Sequence, residues 1–386
     1  MLTPYFFDFK MFFSVVYRSI TGSDKIEAPL GFKRLLFLIA FVPFYLWIQV
    51  VNYIAFLIDE ILFRGYRGIS VKNALFIVGI PRSGTTFMHR LFSLDDQFTA
   101  VKTWEMIFAP AICQKYFWLF VGKLDGMIGS PFKKLILAFE KSVASEFNKI
   151  HKVGLFETEE DEVMFLTSFT SCYLYFFFPD RRMTDYVFFD EKLSFEQRKK
   201  IMDYRRALIK KHMFVFGEGK TYMTKNPADS GKIASIHEFF PDGKIVYLVR
   251  SPYQSVASVL NLFHNMYKVA NTEMDKELLR EMAEMSVSYW YEYAERALET
   301  VPEGQKVTVL YSDMVSDPIT TAEKVYGDLG YTISEYFHEV LVKETERAKQ
   351  YTSKHNYDIE THGMTKEQIT ETYGHVFDRY GIAKQA

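Results

Sequence analysis

The sequence predicts an α/β fold, a three-layer sandwich with a central, mainly parallel sheet flanked by helices. Two observations carry this. Leu75-Phe76-Ile77-Val78 is an apolar, partly β-branched run that ends in a turn holding Gly79, Pro81 and Gly84 and passes into a helical pattern at Thr85. Residues 244 to 249 repeat the layout, a strand that runs into a helix at Pro252. Strands that alternate with helices build parallel sheets.

The elements follow in order. Residues 1 to 31 mix aromatics with Gly22-Ser23-Asp24 and lack the basic start, clean apolar run and small-residue site of a signal peptide. Leu35 to Ile58 is almost wholly apolar and long enough for a bilayer, which takes ~20 residues. Pro43 interrupts it, Gln49, Asn52 and Asp59 recur on one helical face, and Lys33, Arg34, Arg64 and Arg67 flank both ends. Three readings stay open: a helix on or dipping into the membrane, a helix packed on the domain as the roof of an apolar channel, or a span. The expected division is a hydrophobic N-terminal region, 1–68, and a catalytic domain, 69–386.

After the turn at 79–84, Phe87, Leu91 and Leu94 share one helical face, and residues 98 to 101 form a short strand leading to Trp104-Glu105. Residues 133–148 and 159–178 read as helices, the second rich in Phe and Tyr, followed by a helix near 194–213 and a strand at 221–224. Pro227 stops that strand, and Ser230 is placed to cap the next helix. A long helix over 273–299, a strand at 306–310 and the cap-and-proline start Ser316-Asp317-Pro318 complete the core; 333–382 reads as helices around an ordered loop at His355. No repeat or linker divides residues 70 to 386.

The totals narrow the function. The chain has 386 residues, 48% hydrophobic, and a net charge of -2, so a nucleic acid or extended polyanion is not the expected partner and any basic site is local. The 37 Phe and 25 Tyr can fill a core or line a greasy cleft. Two cysteines build neither a disulfide framework nor a metal cage, which favours a reducing compartment.

The turn at 79–84 is an anion cradle: backbone N–H groups point inward and the helix N-terminus adds roughly half a positive charge. Gly79 and Gly84 keep the spacing of a nucleotide-triphosphatase loop, but Thr85 stands where that loop has Lys. The cation comes earlier, at Arg82, whose fork suits an oxyanion. The fold is thus P-loop-like, with an anion chemistry other than β,γ-phosphate transfer.

Pro81-Arg82-Ser83-Gly84-Thr85-Thr86 resembles the 5′-phosphosulfate loop of the PAPS-dependent sulfotransferases (PAPS, 3′-phosphoadenosine 5′-phosphosulfate). A second signature is similar: Ile245-Val246-Tyr247-Leu248-Val249-Arg250-Ser251-Pro252, with Ser258 eight residues past Arg250 and Ser251 in place of the usual Asp. The two stand in family order, about 165 residues apart. Echoes at Trp104-Glu105, Glu160-Asp161-Glu162, Lys225-Asn226-Pro227, Tyr311-Ser312-Asp313, and His355-Asn356-Tyr357 with Gly363 spread the resemblance over roughly 70 to 382 and look like the bacterial branch that includes glycolipid sulfotransferases.

The resemblance implies that Pro81 to Thr86 hold the 5′ end of PAPS and that Arg250 and Ser258 hold its 3′-phosphate, with Lys354 and His355 closing over the nucleotide. Sulfuryl transfer is a positioning and electrostatic problem that needs no metal, and no metal ligand set is expected. The acceptor must lose a proton to a base. Glu105 is the first candidate, Glu160, Asp161 and Glu162 the second, His89 a further one; Lys225 and Arg82 would polarise the leaving group. Other branches place a His near the strand that Lys225 ends; the comparable position here is Asp229. The expected reaction sulfates a hydroxyl of a lipophilic acceptor (sterol, steroid or glycolipid) and releases adenosine 3′,5′-bisphosphate. The rivals are a P-loop kinase-like phosphotransferase and a non-catalytic, membrane-associated nucleotide-binding protein. The expected location is cytoplasmic, peripheral on the inner face of the cytoplasmic membrane through residues 35–58.

Overall fold

The computed structural model describes residues 3–22, 26–27, 30–143, 154–269, 275–349 and 364–384. Its helices and strands are, in chain order, α1 (Phe9–Thr21), α2 (Phe32–Leu62), β1 (Leu75–Gly79), α3 (Thr85–Phe92), β2 (Phe98–Thr99), α4 (Thr103–Phe108), α5 (Ile112–Met127), α6 (Pro131–Val143), α7 (Glu162–Ser168), α8 (Leu174–Phe177), α9 (Phe189–Lys192) and α10 (Phe195–Phe216). There follow β3 (Thr221–Lys225), α11 (Ile233–Phe239), β4 (Lys244–Val249), α12 (Pro252–Val269), α13 (Lys276–Glu299), β5 (Lys306–Leu310), α14 (Tyr311–Ser316), α15 (Pro318–Leu329), α16 (Glu335–Lys349), α17 (Lys366–Thr372) and α18 (Gly374–Tyr380).

The five strands form one parallel sheet in the order β2-β3-β1-β4-β5. β1 is central and all five of its residues are buried. Alternation along the strands separates two cores. Leu75, Ile77, Val246, Leu248, Val307 and Val309 face α3 and α15; Phe76, Val78, Ile245, Tyr247 and Val249 face the larger cluster that includes α10, α11 and α13. Each such side chain contributes ~1.5–3 kcal/mol by leaving water. The parallel, doubly covered sheet puts every strand's C-terminal end, and every loop after it, on one edge.

Several sequence expectations change in detail. Pro43 lies inside α2, which runs unbroken for 31 residues. The buried face of α3 is Met88, Leu91 and Phe92, while Leu94 is exposed. The 159–178 segment is two short helices, because Phe169 ends α7 in the left-handed region at φ 59°. Asp317 caps α15 as expected, accepting from Thr320 N. Ser230 caps nothing; its hydroxyl accepts from Gly79 N at 3.1 Å and so pins the end of β1. Glu105 stands on α4 rather than at a strand end.

α2 packs by one face only. Leu38, Tyr45, Gln49, Asn52, Phe56 and Asp59 are buried, so the polar residues that recur at helical spacing face the protein. Asp59 is the joint of this region: its carboxylate accepts from Ile112 N at 2.7 Å and Cys113 N at 2.9 Å, at the start of α5, and pairs with Lys211 Nζ of α10 at 2.6 Å. The opposite face carries exposed Ile39, Phe44, Trp47 and Ile54.

Candidate active site

The loop between β1 and α3 is shaped by its glycines. A Cβ on Gly79 would lie 2.5 Å from Leu248 O, and one on Gly84 would lie 2.5 Å from Met314 Cε and 2.7 Å from Tyr311 Cδ2; both have positive φ, 148° and 94°. Arg82 also sits in the left-handed region, at φ 73°, a conformation costly for a residue with a Cβ and most often met at functional loops. Gly84 gives α3 no side-chain cap, so the first N–H groups of the helix stay open to a ligand. Ser83 Oγ is buried without a hydrogen-bond partner.

The second signature meets this loop directly. Arg82 Nε donates to Ser258 Oγ at 3.1 Å, and Arg250 Nη1 donates to Arg82 O at 2.7 Å. Arg250 lies 4.1 Å over the Tyr311 ring and donates to Gln254 Oε1 at 2.7 Å, while Tyr291 Oη donates to its carbonyl at 2.7 Å. The guanidinium is thus oriented on three sides. β1 pairs with β4 on this side, which is why residues so far apart in sequence converge.

On the other side of β1, β3 delivers Lys225, in register with Ile77. Lys225 Nζ donates to Glu160 Oε1 at 2.8 Å and lies 3.7 Å from Glu159 Oε2. Tyr173 Oη donates to Glu160 Oε2 at 2.6 Å. The Glu160 side chain keeps 17% exposure, against 1% for Lys225, and is the accessible member of the acidic triplet. His89, on α3, is buried with neither ring nitrogen hydrogen-bonded. Burial first, then the charges of Lys225 and Arg90, push its pKa down to about 3, so it is neutral at physiological pH.

The remaining acids belong to the support beneath. Asp161 and Glu162 are fully buried. Asp161 Oδ2 accepts from Arg205 at 2.7 and 3.0 Å, and Arg205 also reaches Asp229 Oδ2 at 2.5 Å. Asn226 Nδ2 donates to Asp161, Glu162 and Asp229, and Lys232 pairs with Glu162. Burial opposes the charge on Arg205, but Asp161 and Asp229 outweigh it and raise its pKa. This corrects the expectation for Asp161 and Glu162: their bonds fix the loop that presents Glu160, and neither has an open face for an acceptor. Asp229, at the position where other branches have His, is spent the same way.

Glu105 is also enclosed. It is 2% exposed, accepts from Lys102 N at 3.1 Å, and pairs with His212 Nδ1 at 2.8 Å and Lys115 Nζ at 3.1 Å. Burial alone would raise its pKa; Lys115, His212 and the hydrogen bonds overcome that and lower it to about 2. A carboxylate so stabilised and so covered is a poor proton acceptor. Lys354 and His355 lie outside the described residues. No local pattern signals the supporting roles of Tyr173, His212 and Arg205, which arise from α10 and from the α7–α8 break.

The model of the Sulfotransferase family matches residues 74–335. The omega-hydroxy-beta-dihydromenaquinone-9 sulfotransferase Stf3 of Mycobacterium bovis and of Mycobacterium tuberculosis is 24% identical over 357 residues, spanning 88% of this chain and 84% of that protein. Among solved structures, sulfotransferase STF9 from Mycobacterium avium superposes with a TM-score of 0.68 at 16% identity, over 83% of this chain and 80% of that one. STF1 from Mycobacterium tuberculosis H37Rv gives 0.67 at 17% identity, over 95% and 92%. The chain belongs to the sulfotransferase family and is an enzyme that transfers sulfate.

Proposed function

We propose that the enzyme moves the sulfonate of PAPS to a hydroxyl of a lipophilic acceptor and releases adenosine 3′,5′-bisphosphate. The observation that carries the donor is the union of Arg82, Ser258 and Arg250 at the uncapped start of α3. Two guanidinium groups within one short network match a nucleotide with two separated phosphates, one at each end of the ribose. The buried hydroxyl of Ser83 and the open N–H groups of α3 fit the 5′ end.

The chemistry then falls to the chain's own residues. The acceptor O–H attacks sulfur, the bond from sulfur to the bridging phosphate oxygen breaks, and the acceptor's proton is taken up by a base. Glu160 fits the base, being partly exposed and oriented by Tyr173 and Lys225. Lys225, Arg82 and the α3 N–H groups stabilise the charge that gathers on the leaving phosphate. His89, neutral and unpartnered, borders Lys225 and serves as a neutral wall or donor to the sulfonate. The thiols of Cys113 and Cys172 are not joined in a disulfide.

The acceptor class rests on apolar surface. An 18-residue window of α2 has a mean hydropathy of 2.0, and its outer face is exposed. This supports a helix laid along the inner face of the cytoplasmic membrane, with residues 35–58 in contact with lipid. A sterol, steroid or glycolipid hydroxyl fits, and the omega-hydroxy-beta-dihydromenaquinone-9 in the name of Stf3 is a lipophilic alcohol of another kind. The kinase-like and non-catalytic rivals yield to the family assignment. The deciding experiment presents PAPS labelled with ³⁵S and a panel of acceptors, lipids first; transfer to a lipid alcohol supports the reading, and transfer only to sugars or small phenols rejects it.

A further inference from the structure

The outer part of the α5–α6 hairpin lies outside everything assigned so far, and many of its apolar side chains are exposed among the described residues. α6 is a 13-residue helix with Phe132, Leu135, Ile136 and Phe139 at the i, i+3, i+4, i+7 spacing of one stripe. Leu135 and Phe139 are each 66% exposed. A helix this short is marginal in water without a partner for such a stripe. From its sixth residue on, α5 adds exposed Phe117, Phe120, Leu124 and Met127, the last at 76%. Together these exceed the scattered apolar exposure of a soluble monomer.

The hairpin is nevertheless built to hold its shape. Buried Asp125 accepts from Phe132 N at 2.8 Å and Lys133 N at 3.0 Å, which starts α6 and sets its angle to α5. At the far end, Glu140 Oε1 accepts from Leu155 N at 2.7 Å. Leu155 O in turn accepts from Trp104 N at 2.9 Å, and Glu157 O from Thr103 N at 3.0 Å. Three residues further along the chain stands Glu160. The arm therefore joins the acceptor side of the site through one hydrogen-bonded loop.

Charge decides what covers the stripe. Lys133, Lys134 and Lys141 are exposed on α6, whereas its one acid, Glu140, is half-buried and bonded to backbone. An apolar stripe bordered by lysines is the pattern of a helix seated in an anionic lipid interface. The surface also continues to α2, whose end meets α5 through the Phe63 and Tyr116 rings at 5.5 Å. We infer that the α5–α6 hairpin is a second membrane-docking element, which seats its Phe132–Leu135–Phe139 stripe in an anionic phospholipid bilayer beside the entrance for the acceptor. The docking stands without the acceptor assignment; only the delivery of a lipid to Glu160 rests on it.

The test is flotation of the full chain with phosphatidylcholine vesicles, with and without phosphatidylglycerol. The wild type floats, and more with phosphatidylglycerol. Leu135→Asp with Phe139→Asp lowers partition about tenfold or more, and Lys133→Gln, Lys134→Gln and Lys141→Gln together remove the preference for phosphatidylglycerol. Binding of adenosine 3′,5′-bisphosphate, unchanged in each variant, certifies folding and reports on the donor site separately. Vesicle binding equal in wild type and both variants overturns the inference, as does a wild type that stays unbound. A lipid-free dimer dissolved by the Asp variant, without vesicle binding, also overturns it and assigns the stripe to a second copy. If docking holds but no lipid alcohol is sulfated, the acceptor reading alone fails.

Discussion

Arg82 Nε lies 3.1 Å from Ser258 Oγ, across 176 residues of sequence. That single bond joins the two donor signatures, and the carbonyl of the same Arg82 receives Arg250. Had the two arginines faced separate cavities, a shared bisphosphate ligand would have no support.

Arg82→Ala and Arg250→Ala are each expected to weaken adenosine 3′,5′-bisphosphate by about 1.5–3 kcal/mol, the range for a hydrogen bond to a charged group. Titration calorimetry measures this. The double variant should lose less than the sum, because each arginine helps to hold the other. Affinities within twofold of wild type for both single variants would remove these residues from the donor site.

Glu160→Gln is expected to lower turnover by about 10²–10⁴, the usual worth of a general base, with bisphosphate affinity kept. The comparison is Glu105→Gln, which should cost thermal stability more than turnover. If Glu105→Gln abolishes turnover in a folded protein while Glu160→Gln leaves it intact, the base is Glu105 after all.

Glu105 also gives a pH signature. Its carboxyl is held down at about 2 in the fold against an ordinary value of 4.5. A depressed carboxylate contributes stability that is present above the unfolded value and lost as pH falls toward the folded one. Lys115, whose pKa burial lowers despite Glu105, offsets part of that contribution. Denaturant midpoints should therefore drop between about pH 4.5 and 2, and less steeply in Glu105→Gln. Identical slopes would mean that the pair contributes nothing.

Arg205→Ala should destabilise the fold by about 3–5 kcal/mol, since it takes the paired cation from buried Asp161 and leaves Asp229 with Lys232 alone. Chemical denaturation reads this directly. A loss below about 1 kcal/mol would show that the acids protonate without strain.

Chelation is expected to leave turnover unchanged, because cations of the chain itself serve the leaving group. Strong inhibition by EDTA, reversed by a divalent ion, would contradict this.

The sheet and the donor loop were legible because their signals are local. β1 is a buried apolar run, and Gly79 and Gly84 sit where no Cβ fits. Roles set by long-range packing were not. Nothing in Glu160-Asp161-Glu162 says that the first acid meets Lys225 while the next two sink beneath it; that sorting comes from Arg205 and Lys232, which arrive on α10 and after β3. Pro43 misled for a related reason: a long helix packed along one face absorbs a proline that would break a free one.

Asp59 ties α2 to α5 and α10 with three charge-assisted bonds to one fully buried carboxylate. An amphipathic helix on a loose linker lets an enzyme swivel like a buoy on a rope. Here α2 is locked to the helices behind it, so wherever α2 rests, the tilt of the catalytic body relative to it is decided at folding.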